Sequence, residues 1–462
     1  MYLARVPALF DPNDPRPIHF LGIGGAGMSA LALAARRRGV TVTGCDLDDT
    51  AFPDLRAAGA SVDVGFDVAH VHGARAVVAT AAAALDHPEL QAARTAGIPI
   101  VFRKQALAEL VNGATLVALA GTHGKTTTTV MTTEALRATG LHPSGLAGGR
   151  VAAWGGNALL DGDALFVVEA DEYDQAFLTL APTVAVVNNV EADHLECYGS
   201  VDALEAAFVT FAGRATRALI GGADLGSDRV AGALDVPPWR FGIDSGDFAI
   251  TVRDLGASGS TADVRLPDDR VVRLALGVPG VHNLRNATAA LGVVFALNAD
   301  VDAALEALAT FAGVGRRFER NGDFGGVTFV DDYAHHPTEL AATLAAARQA
   351  FPDRRLVAVF QPHLYSRTRE HGATMGRVLA AADVVVVADV YGAREQPEPG
   401  ITGKLVADAA VDAGAFVLYE PGRAELAAEI AGVLRDGDVL LTLGAGDVTR
   451  VGPEVRLAMA ER

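Results

Sequence analysis

Cysteine is scarce in this 462-residue chain, because only Cys45 and Cys197 occur. This excludes a disulfide framework and a cysteine-rich metal site. Positive charge is also in the minority: 38 Lys and Arg stand against 56 Asp and Glu, a net charge of −18. Such an acidic chain argues against general binding to nucleic acids or anionic membranes, although a local basic pocket can still hold a small anion. No apolar run has the length that a membrane span requires.

The N-terminal stretch MYLARVPALFDPNDP contains only a brief apolar segment, which Pro and Asp interrupt, so no signal peptide is expected. We therefore expect a cytoplasmic location. Hydrophobic residues make up 50% of the chain and charged residues 20%, a composition typical of well-packed α/β domains. Its length predicts two to four domains.

The central feature is the stretch GTHGKTTTT at Gly121–Thr129. It follows the apolar run ATLVALA, which predicts a buried strand, and opens a segment with helical spacing. A strand, a glycine turn and a helix start form an anion site, because the backbone N–H groups and the helix dipole face the ligand. Lys125 would contact terminal phosphates and Thr126 would coordinate Mg²⁺. We predict contacts to a nucleotide triphosphate at Gly121, Thr122, His123, Gly124, Lys125, Thr126 and Thr127.

This loop is shorter than the general P-loop, because Leu119 stands where that pattern has its first glycine. The alternative without a binding function is a threonine-rich helix start with an incidental lysine. Four consecutive threonines make a poor helix, which favours the nucleotide site.

A second glycine turn, GIGGAG at residues 22–27, follows the predicted strand Ile18–Leu21. A helix ends at Gly39, and the strand Val40–Cys45 leads to Asp46, where a dinucleotide fold has its ribose-binding acid. Taken alone, this unit suggests an NAD-dependent dehydrogenase, but FAD or a UDP-sugar would supply a diphosphate equally well. We predict ligand contacts at Gly22, Gly24, Gly25, Ala26, Gly27, Met28, Ser29, Asp46 and Thr80. Thr80 ends the predicted strand Ala76–Thr80 and is equally suited to capping it.

Acidic residues follow the next strong strand, Ala164–Val168, in the sequence EADEYD. Folds with a phosphate loop have their Mg²⁺ carboxylate at such a strand end. Glu169 is the first candidate for this ligand and Glu172 is the second. A third strand, Thr183–Val187, leads to NNVEADH. There His194 is a second metal ligand, a phosphate contact or a structural residue.

The remainder of the chain contains polar clusters at predicted strand and helix ends. Residues 239–276 alternate with period two, as in antiparallel hairpins. PGVHNLRNA then begins a helix, where Asn side chains suit an adenine edge and Asn283 also fits a helix N-cap. A third, parallel α/β domain is predicted from about Gly313. Its predicted strands are Val327–Val330, Leu356–Phe360, Val384–Ala388, Phe416–Tyr419 and Val439–Leu443, with a helix at Pro337–Ala350.

Together these stretches resemble the Mur ligase family, in the branch that adds L-alanine to UDP-N-acetylmuramate. They run in the family's order from residue 19 to 447 and cover nearly the whole chain. The matching stretches are HFLGIGGAGMSALA, AGTHGKTTTT, EADEYD, NNVEADHLECY, PGVHNLRNA, GRRFE, DDYAHHPTE, FQPHLYSRTR and GAGD.

The resemblance implies an α/β fold of three domains. Residues 1–108 would form a Rossmann-like domain for the UDP-substrate, and residues 109–312 a P-loop ATPase-like domain for ATP and Mg²⁺. Residues 313–462 would form a Rossmann-like domain that binds the amino acid and closes over ATP. Implied Mg²⁺ ligands are Thr126, Glu169 and His194, with Glu172 as a further candidate. Implied contacts to adenine and the rest of ATP are His282, Asn283, Asn286, Arg317 and Asp332, and implied catalytic residues are Lys125, Tyr333, His335, His363 and Arg367.

Three departures from the family pattern stand out. The stretch after His194 has no lysine, which excludes the carbamoylated lysine of other branches. Leu364 follows the QPH sequence where some relatives have arginine, so Arg367 would bind more of the carboxylate. Ala79 and Thr80 replace a Ser-Ser pair and keep one hydroxyl.

The implied reaction joins L-alanine to the lactyl carboxylate of UDP-N-acetylmuramate through an acyl phosphate, in peptidoglycan precursor synthesis. His335 would accept the amine proton. The alternatives are a recycling ligase that adds a tripeptide to the same sugar, and a non-catalytic ATP-switched binding protein. No nucleic-acid or membrane partner is expected, and the sequence leaves a monomer and a dimer open.

Overall fold

Three sheets organise the residues described by the computed structural model, which are 8–222, 224–257, 259–393 and 395–461. The first seven residues of the N-terminal stretch discussed above lie outside them. The chain forms two compact units. The first comprises Met1–Val252, Ala262–Ala275 and Leu284–Phe311, and the second comprises Arg253–Thr261, Leu276–Asn283 and Ala312–Arg462.

The N-terminal sheet is parallel and has the strand order β3-β2-β1-β4-β5. Its elements are β1 (Ile18–Leu21), α1 (Ala26–Arg37), β2 (Val42–Asp46), α2 (Phe52–Ala57), β3 (Ser61–Val64), β4 (Ala76–Ala79), α3 (Pro88–Thr95), β5 (Ile100–Phe102) and α4 (Arg103–Leu110). The order reverses between β1 and β4, and ligands of open α/β sheets bind at such a point. The glycine turn follows β1 and Thr80 follows β4, so both predicted contacts lie there.

The central sheet contains eleven strands, and its middle is parallel. Its elements are β6 (Thr115–Ala120), α5 (Lys125–Ala138), β7 (Ser144–Val151), β8 (Gly156–Leu159), β9 (Leu165–Glu169), β10 (Val184–Val187), α6 (Leu195–Tyr198), α7 (Val201–Gly213), β11 (Arg217–Gly221), α8 (Leu225–Gly232), β12 (Trp239–Ile243), β13 (Ser245–Gly246), β14 (Phe248–Gly256), β15 (Gly259–Arg265), β16 (Val271–Leu276), α9 (Val281–Ala296) and α10 (Val301–Ala309). The strand order is β16-β15-β14-β12-β11-β10-β6-β9-β7-β8, with β13 paired to β12.

The position of β6 brings the central motifs together. It pairs in parallel with β9 on one side and β10 on the other, so the segments after all three strands leave the same sheet edge. These segments are the phosphate loop, the acidic stretch that starts at Glu169, and the stretch from Asn188 to His194.

Two expectations for this region are wrong. Residues 239–276 are not hairpins throughout, because β12 and β14 pair in parallel at Ile243 and Ile250. Asn283 is not the N-cap of α9, which begins at Val281. Its Nδ2 instead donates a hydrogen bond of 2.7 Å to the Pro279 carbonyl, within the helix start.

The N-terminal sheet and most of the central sheet lie in the first unit, where α1 packs against β7 and β8. Arg37 donates to the Trp154 carbonyl at 2.6 Å, and Arg150 pairs with Asp54 at the same distance. The division into three domains with boundaries at residues 108 and 312 stays a prediction.

The C-terminal sheet has the order β17-β18-β22-β19-β20-β21. Its elements are β17 (Glu319–Phe324), β18 (Val327–Asp332), α11 (Pro337–Ala350), β19 (Leu356–Phe360), α12 (Tyr365–Leu379), β20 (Val384–Val387), α13 (Lys404–Asp412), β21 (Val417–Tyr419), α14 (Leu426–Val433), β22 (Val439–Leu443) and α15 (Val451–Ala460). Five strands are parallel as predicted, and β17 adds an antiparallel edge. Helices cover both faces: Leu340 and Met375 lie in one core, and Ile430 and Val451 lie in the other.

The described helices include none that is both long enough and apolar enough to cross a bilayer. The α/β class predicted from the sequence is confirmed.

Candidate active site

The phosphate loop has a backbone that only glycine fits at two positions. Gly121 and Gly124 have φ values of 126° and 78°. A Cβ on Gly121 would lie 2.9 Å from the Asn188 amide nitrogen, and one on Gly124 would lie 2.7 Å from Asn286 Oδ1. The loop is held from β10, since Asn189 accepts from Thr122 N at 3.1 Å and from His123 N at 2.7 Å. This cradle fits the phosphates of a nucleotide, because the first turn of α5 directs N–H groups towards an anion.

The run of threonines is helical because its hydroxyls bond within the helix. Thr128 Oγ1 donates to the Gly124 carbonyl and Thr129 Oγ1 to the Lys125 carbonyl, both at 2.9 Å. Such bonds occupy the hydroxyls that otherwise compete with helical backbone. Thr126 and Thr127 lie in the buried first turn of α5.

Lys125 lies among carboxylates at this loop. Its Nζ is 2.9 Å from both carboxylate oxygens of Glu172 and also donates to the Gly121 carbonyl at 2.8 Å. Burial opposes the charge of Lys125, but Glu172, Asp171 and Glu169 raise the pKa of Lys125 above its ordinary value. The ammonium is therefore charged, as a contact to phosphate requires.

The predicted metal ligands lie around this lysine. Ligand atoms of Asp171, Glu172 and His194 lie within 4.8 Å of one another. Glu169, at the end of β9, accepts from Gly148 N at 2.6 Å. Carboxylate and hydroxyl oxygens suit Mg²⁺, so Thr126 and these acids fit that ion. Asp171 was not predicted as a ligand, although it lies in the same acidic stretch.

His194 has a strained backbone and an acidic environment. Its φ of 54° is left-handed, which is uncommon for a residue other than glycine. Burial acts against protonation, but the hydrogen bond to Glu196 and the charges of Asp193 and Glu172 raise the pKa of His194 overall. A divalent cation would take the place of this proton among the same acids.

Two asparagines pack against the phosphate loop. Asn188 Nδ2 donates to Thr128 Oγ1 at 2.9 Å, which ties β10 to α5. Asn286 lies against Gly124, so this predicted ATP contact is at the loop. His282 folds over Gly280, where a Cβ would lie 2.5 Å from its ring. Asn188 was missed, and its place directly after a buried strand was the available signal.

The first glycine turn closes around Asp46. Asp46 Oδ2 accepts from Gly24 N at 2.8 Å, and Oδ1 accepts from Leu47 N at 2.7 Å. A Cβ on Gly24 would lie 2.2 Å from the Asp48 carbonyl oxygen, and one on Gly22 would lie 2.7 Å from Thr80 Cγ2. Asp46 thus shapes the turn itself, and Thr80 borders it. Gly25 precedes α1, in which Ala26, Gly27, buried Met28 and buried Ser29 form the first turn.

Arg103 and Asn157 belong to this turn and were missed by the sequence analysis. A Cβ on Gly27 would lie 2.8 Å from Arg103 Nη1, and the same guanidinium is 3.9 Å from the Asp171 carboxylate. Asn157, from β8, donates to the Ala26 carbonyl at 2.6 Å and to Ser29 Oγ at 3.0 Å. Arginine beside a glycine turn suits a diphosphate, because its fork binds phosphate oxygens in pairs.

In the second unit, Asp332 lies at the end of β18. Its carboxylate accepts from Phe318 N at 2.7 Å and from Ala334 N at 2.8 Å. Burial raises the pKa of Asp332 to about 6, against the opposing charge of Arg317. The Arg317 guanidinium lies 5.2 Å from the centre of the Tyr333 ring.

His335 follows the same strand and is oriented by Glu339. His335 Nδ1 lies 2.9 Å from the Tyr333 carbonyl oxygen and 3.2 Å from Glu339 Oε2. Both neighbours are acceptors, so Nδ1 carries the proton and Nε2 bears the lone pair of the neutral ring. Glu339, in the first turn of α11, was missed because it is typical of an ordinary helix-cap glutamate.

His363 and Arg367 lie at the start of α12. Arg367 Nη1 is 3.4 Å from His363 Nδ1, and Arg367 is buried. The His363 ring centre lies 6.3 Å from that of His335 and 5.9 Å from that of Tyr391, which the sequence analysis did not single out. Leu364 between them has a φ of 69°. The structure thus gathers Tyr333, His335, His363 and Arg367 at one end of the sheet.

Two full-length relatives decide the family. A UDP-N-acetylmuramate–L-alanine ligase from Kineococcus radiotolerans is 47% identical over 456 residues, covering 96% of each chain. A ligase of the same name from Clavibacter michiganensis is 45% identical over 452 residues, covering 97% of this chain and 94% of the relative. The chain belongs to the Mur ligase family.

Family models match this Mur ligase in three consecutive segments. The Mur ligase family catalytic domain matches residues 17–115, the Mur ligase middle domain residues 119–294, and the Mur ligase glutamate ligase domain residues 316–446. The structure is similar to a UDP-N-acetylmuramate–alanine ligase from Thermotoga maritima, with a TM-score of 0.84, 28% identity and coverage of 96% and 99%. A murein peptide ligase from Psychrobacter arcticus has a TM-score of 0.74, 25% identity and coverage of 97% and 99%.

Proposed function

We propose that this Mur ligase uses ATP to join L-alanine to the lactyl carboxylate of UDP-N-acetylmuramate in peptidoglycan precursor synthesis, releasing ADP and phosphate. It would act in the cytoplasm, where its nucleotide substrates are made. The observation that carries the proposal is a phosphate loop with Lys125 among carboxylates, in a chain 47% identical to a ligase of that name along 96% of its length.

The UDP diphosphate would bind at the first glycine turn. Helix α1 starts there with N–H groups that face an anion, and Arg103 lies against Gly27. Thr80, which borders the turn across the switch point, would contact the sugar end of the nucleotide. The dehydrogenase hypothesis instead predicts NADH binding at the same turn and leaves the phosphate loop unexplained, and a lack of NADH binding would exclude it.

The first chemical step transfers a phosphoryl group. A lactyl carboxylate oxygen attacks the γ-phosphorus, the bond to the β,γ-bridging oxygen breaks, and ADP leaves behind an acyl phosphate. Lys125 balances charge on the transferred group after exchanging Glu172 for phosphate oxygens. Thr126, Glu169, Glu172 and His194 would hold Mg²⁺, which supplies further neutralisation of the phosphate oxygens when bound.

The second step forms the amide. The alanine amine attacks the acyl carbon, the carbon–oxygen bond to phosphate breaks, and the amine loses one proton. His335 Nε2 accepts that proton, because Nδ1 is already a donor to Tyr333 and Glu339. Buried Arg367, with His363 beside it, would bind the alanine carboxylate.

The test measures ADP release with UDP-N-acetylmuramate and ATP, with and without L-alanine, and identifies the product by mass. We expect turnover to require alanine and the product to gain one alanyl residue. ADP release that does not depend on L-alanine would contradict the proposed function. ATP binding with no product in the presence of both substrates would favour the ATP-switched binding protein.

One alternative has a specific observation in its favour, since the chain is also similar to a murein peptide ligase. That enzyme class would add a tripeptide to the same UDP-sugar. Competition between L-alanine and a tripeptide at equal concentration decides between them, and we expect the alanyl product to dominate.

A further inference from the structure

A cluster of four potential metal ligands lies on one face of the N-terminal sheet, on the side covered by α3. His19 is on β1 and Cys45 is on β2, and the register His19↔Thr43 and Leu21↔Cys45 directs both side chains to the same face. Glu89 comes from the first turn of α3, and His70 from a short 3₁₀ helix at Val68–Val71. None of these four residues has a part in the proposed reaction.

The four side chains converge on one point. His19 Nε2 lies 3.1 Å from Glu89 Oε2 and 3.5 Å from Cys45 Sγ. Cys45 Sγ is 3.3 Å from both oxygens of Glu89, and His70 Nδ1 is 3.1 Å from Glu89 Oε1. One ligand atom from each residue lies within 4.8 Å of all the others.

These spacings fit a tetrahedral ion. Bonds of about 2.0–2.3 Å to N, O and S ligands separate neighbouring ligand atoms by roughly 3.3–3.8 Å. Shifts of a few tenths of an ångström would open the cluster to that size. His70, whose side chain is 21% exposed, provides the entry route, while the other three ligands are buried.

The surroundings hold the ligands in place as they do in known metal sites. His19 Nδ1 lies 3.0 Å from Thr43 Oγ1, which leaves Nε2 directed at the cluster centre. Glu89 Oε1 accepts from Asp67 N at 2.9 Å, so Oε2 is available to a metal. Such outer contacts orient metal-bound imidazoles and carboxylates.

We propose that His19, Cys45, His70 and Glu89 form a binding site for Zn²⁺ or a similar divalent transition metal, separate from the proposed Mg²⁺ site. An ion bound here would displace the proton of the Cys45 thiol, and the resulting thiolate and the Glu89 carboxylate would together balance the charge of a divalent ion in this buried position. Two imidazoles and a thiolate select a borderline-soft ion over Mg²⁺. The role is structural, because the ion would join β1, β2, α3 and the 3₁₀ helix.

A nucleophilic cysteine is the other chemistry that these residue types suggest. Cys45 is fully buried, so no substrate reaches its sulfur. The site is not evident from the sequence, because the cluster has only one cysteine and its successive ligands are 19 to 26 residues apart.

The test is titration of the full chain with Co²⁺ after removal of bound metals with a chelator, with excess Mg²⁺ present to occupy oxygen-rich sites. We expect a thiolate-to-cobalt absorption in the near ultraviolet that saturates at one ion per chain and disappears when Zn²⁺ is added. Zn²⁺ should also raise the melting temperature.

The two cysteines provide a matched pair of variants. Cys45→Ser should lose the cobalt absorption and the response to Zn²⁺, while Cys197→Ser should keep both. Should Cys45→Ser fail to fold, His70→Gln removes a ligand from the surface side, and Thr43→Val removes an outer contact. Each should weaken Co²⁺ binding, and for Thr43→Val the loss should be about 10–100-fold. A folded wild-type chain without the absorption, or absorption that survives Cys45→Ser or vanishes in Cys197→Ser, would overturn the proposal.

Discussion

The ammonium group of Lys125 lies 2.9 Å from each carboxylate oxygen of Glu172, and both side chains are largely buried. The lysine proposed to hold terminal phosphates is therefore bound by protein groups in this conformation. On the proposed function, ATP would have to separate the pair, and part of the phosphate binding energy would go into that exchange. Glu172 then becomes available to a metal ion.

Removing both partners of this pair should restore the stability that removing Lys125 alone costs, but it should not restore activity. Lys125→Met leaves a buried carboxylate without its partner, and we expect it to lower the free energy of unfolding by about 3–5 kcal/mol. Adding Glu172→Gln should restore most of that loss, because both charges are then removed. Neither variant should form acyl phosphate. Urea unfolding and ADP release measure the two effects, and recovery of activity in the double variant would contradict the role of Lys125.

Asp332 should make the second unit less stable as pH rises. Burial raises the pKa of Asp332 to about 6 from an ordinary value of 3.8, so the folded chain holds this proton more tightly than the unfolded chain. Its contribution to stability is present below pH 4 and is lost as pH rises through 6, by about 3 kcal/mol in total. Asp332→Asn removes this titration. The free energy of unfolding of the wild type, measured relative to Asp332→Asn, should therefore fall between pH 4 and 7, and a rise would contradict the assignment.

His335 should matter for the amide step and not for phosphoryl transfer. His335→Ala removes the proposed proton acceptor, so we expect kcat for amide formation to fall by about 10²–10⁴. Hydroxylamine should still trap the acyl phosphate at the wild-type rate. The matched control is His142→Ala, which replaces an exposed histidine on a loop of the first unit and should leave both steps unchanged. Equal loss of both steps would show that His335 is not specific to the amine.

We expect Glu339 to act through His335, and its replacement should change the pH dependence of kcat. Glu339→Gln keeps the size of the side chain but removes the negative charge 3.2 Å from His335 Nδ1. The acid limb of the kcat profile should move to lower pH, while the KM for ATP stays unchanged. An unchanged pH profile of kcat would show that Glu339 serves only as a helix cap.

Arg103 should contribute to binding of the UDP-sugar. A charge-assisted hydrogen bond is worth about 1.5–3 kcal/mol, so Arg103→Met should raise the KM for UDP-N-acetylmuramate roughly 10–150-fold. The KM for L-alanine should be unaffected. Arg229→Met removes an arginine that pairs with Glu205 on α7 and serves as the control. An unchanged KM in Arg103→Met would show that the diphosphate binds elsewhere.

Strands that are apolar throughout were predictable from sequence. The bounds of β1, β19 and β22 agree with the prediction, because their apolar patterns end at glycine or at a polar residue, and the bounds of α11 agree as well. The hairpin of β7 and β8 was missed, since its GLAGGRV segment is rich in glycine and has no alternating pattern. Strand β17 was missed because ERNGDF has only polar and glycine residues before its last position.

Among the candidate site residues, too, some were predictable from the sequence and others were not. Residues at the ends of buried strands, such as Glu169 and Asp332, were predictable because parallel strands end at one sheet edge. Residues that reach the predicted sites from other elements were not. Arg103, Asn157 and Glu339 come from helices or from a neighbouring sheet, and their roles depend on packing that no local pattern records.

The polar sequence of β17 also affects how the edge of the C-terminal sheet behaves in solution. All six residues of β17 are exposed, and its pairing with β18 is irregular between Arg320 and Asp323. An edge strand offers unpaired backbone groups to other chains, and charges and bulges there discourage such pairing. This strand therefore lowers the tendency of the C-terminal sheet to join that of another molecule and aggregate.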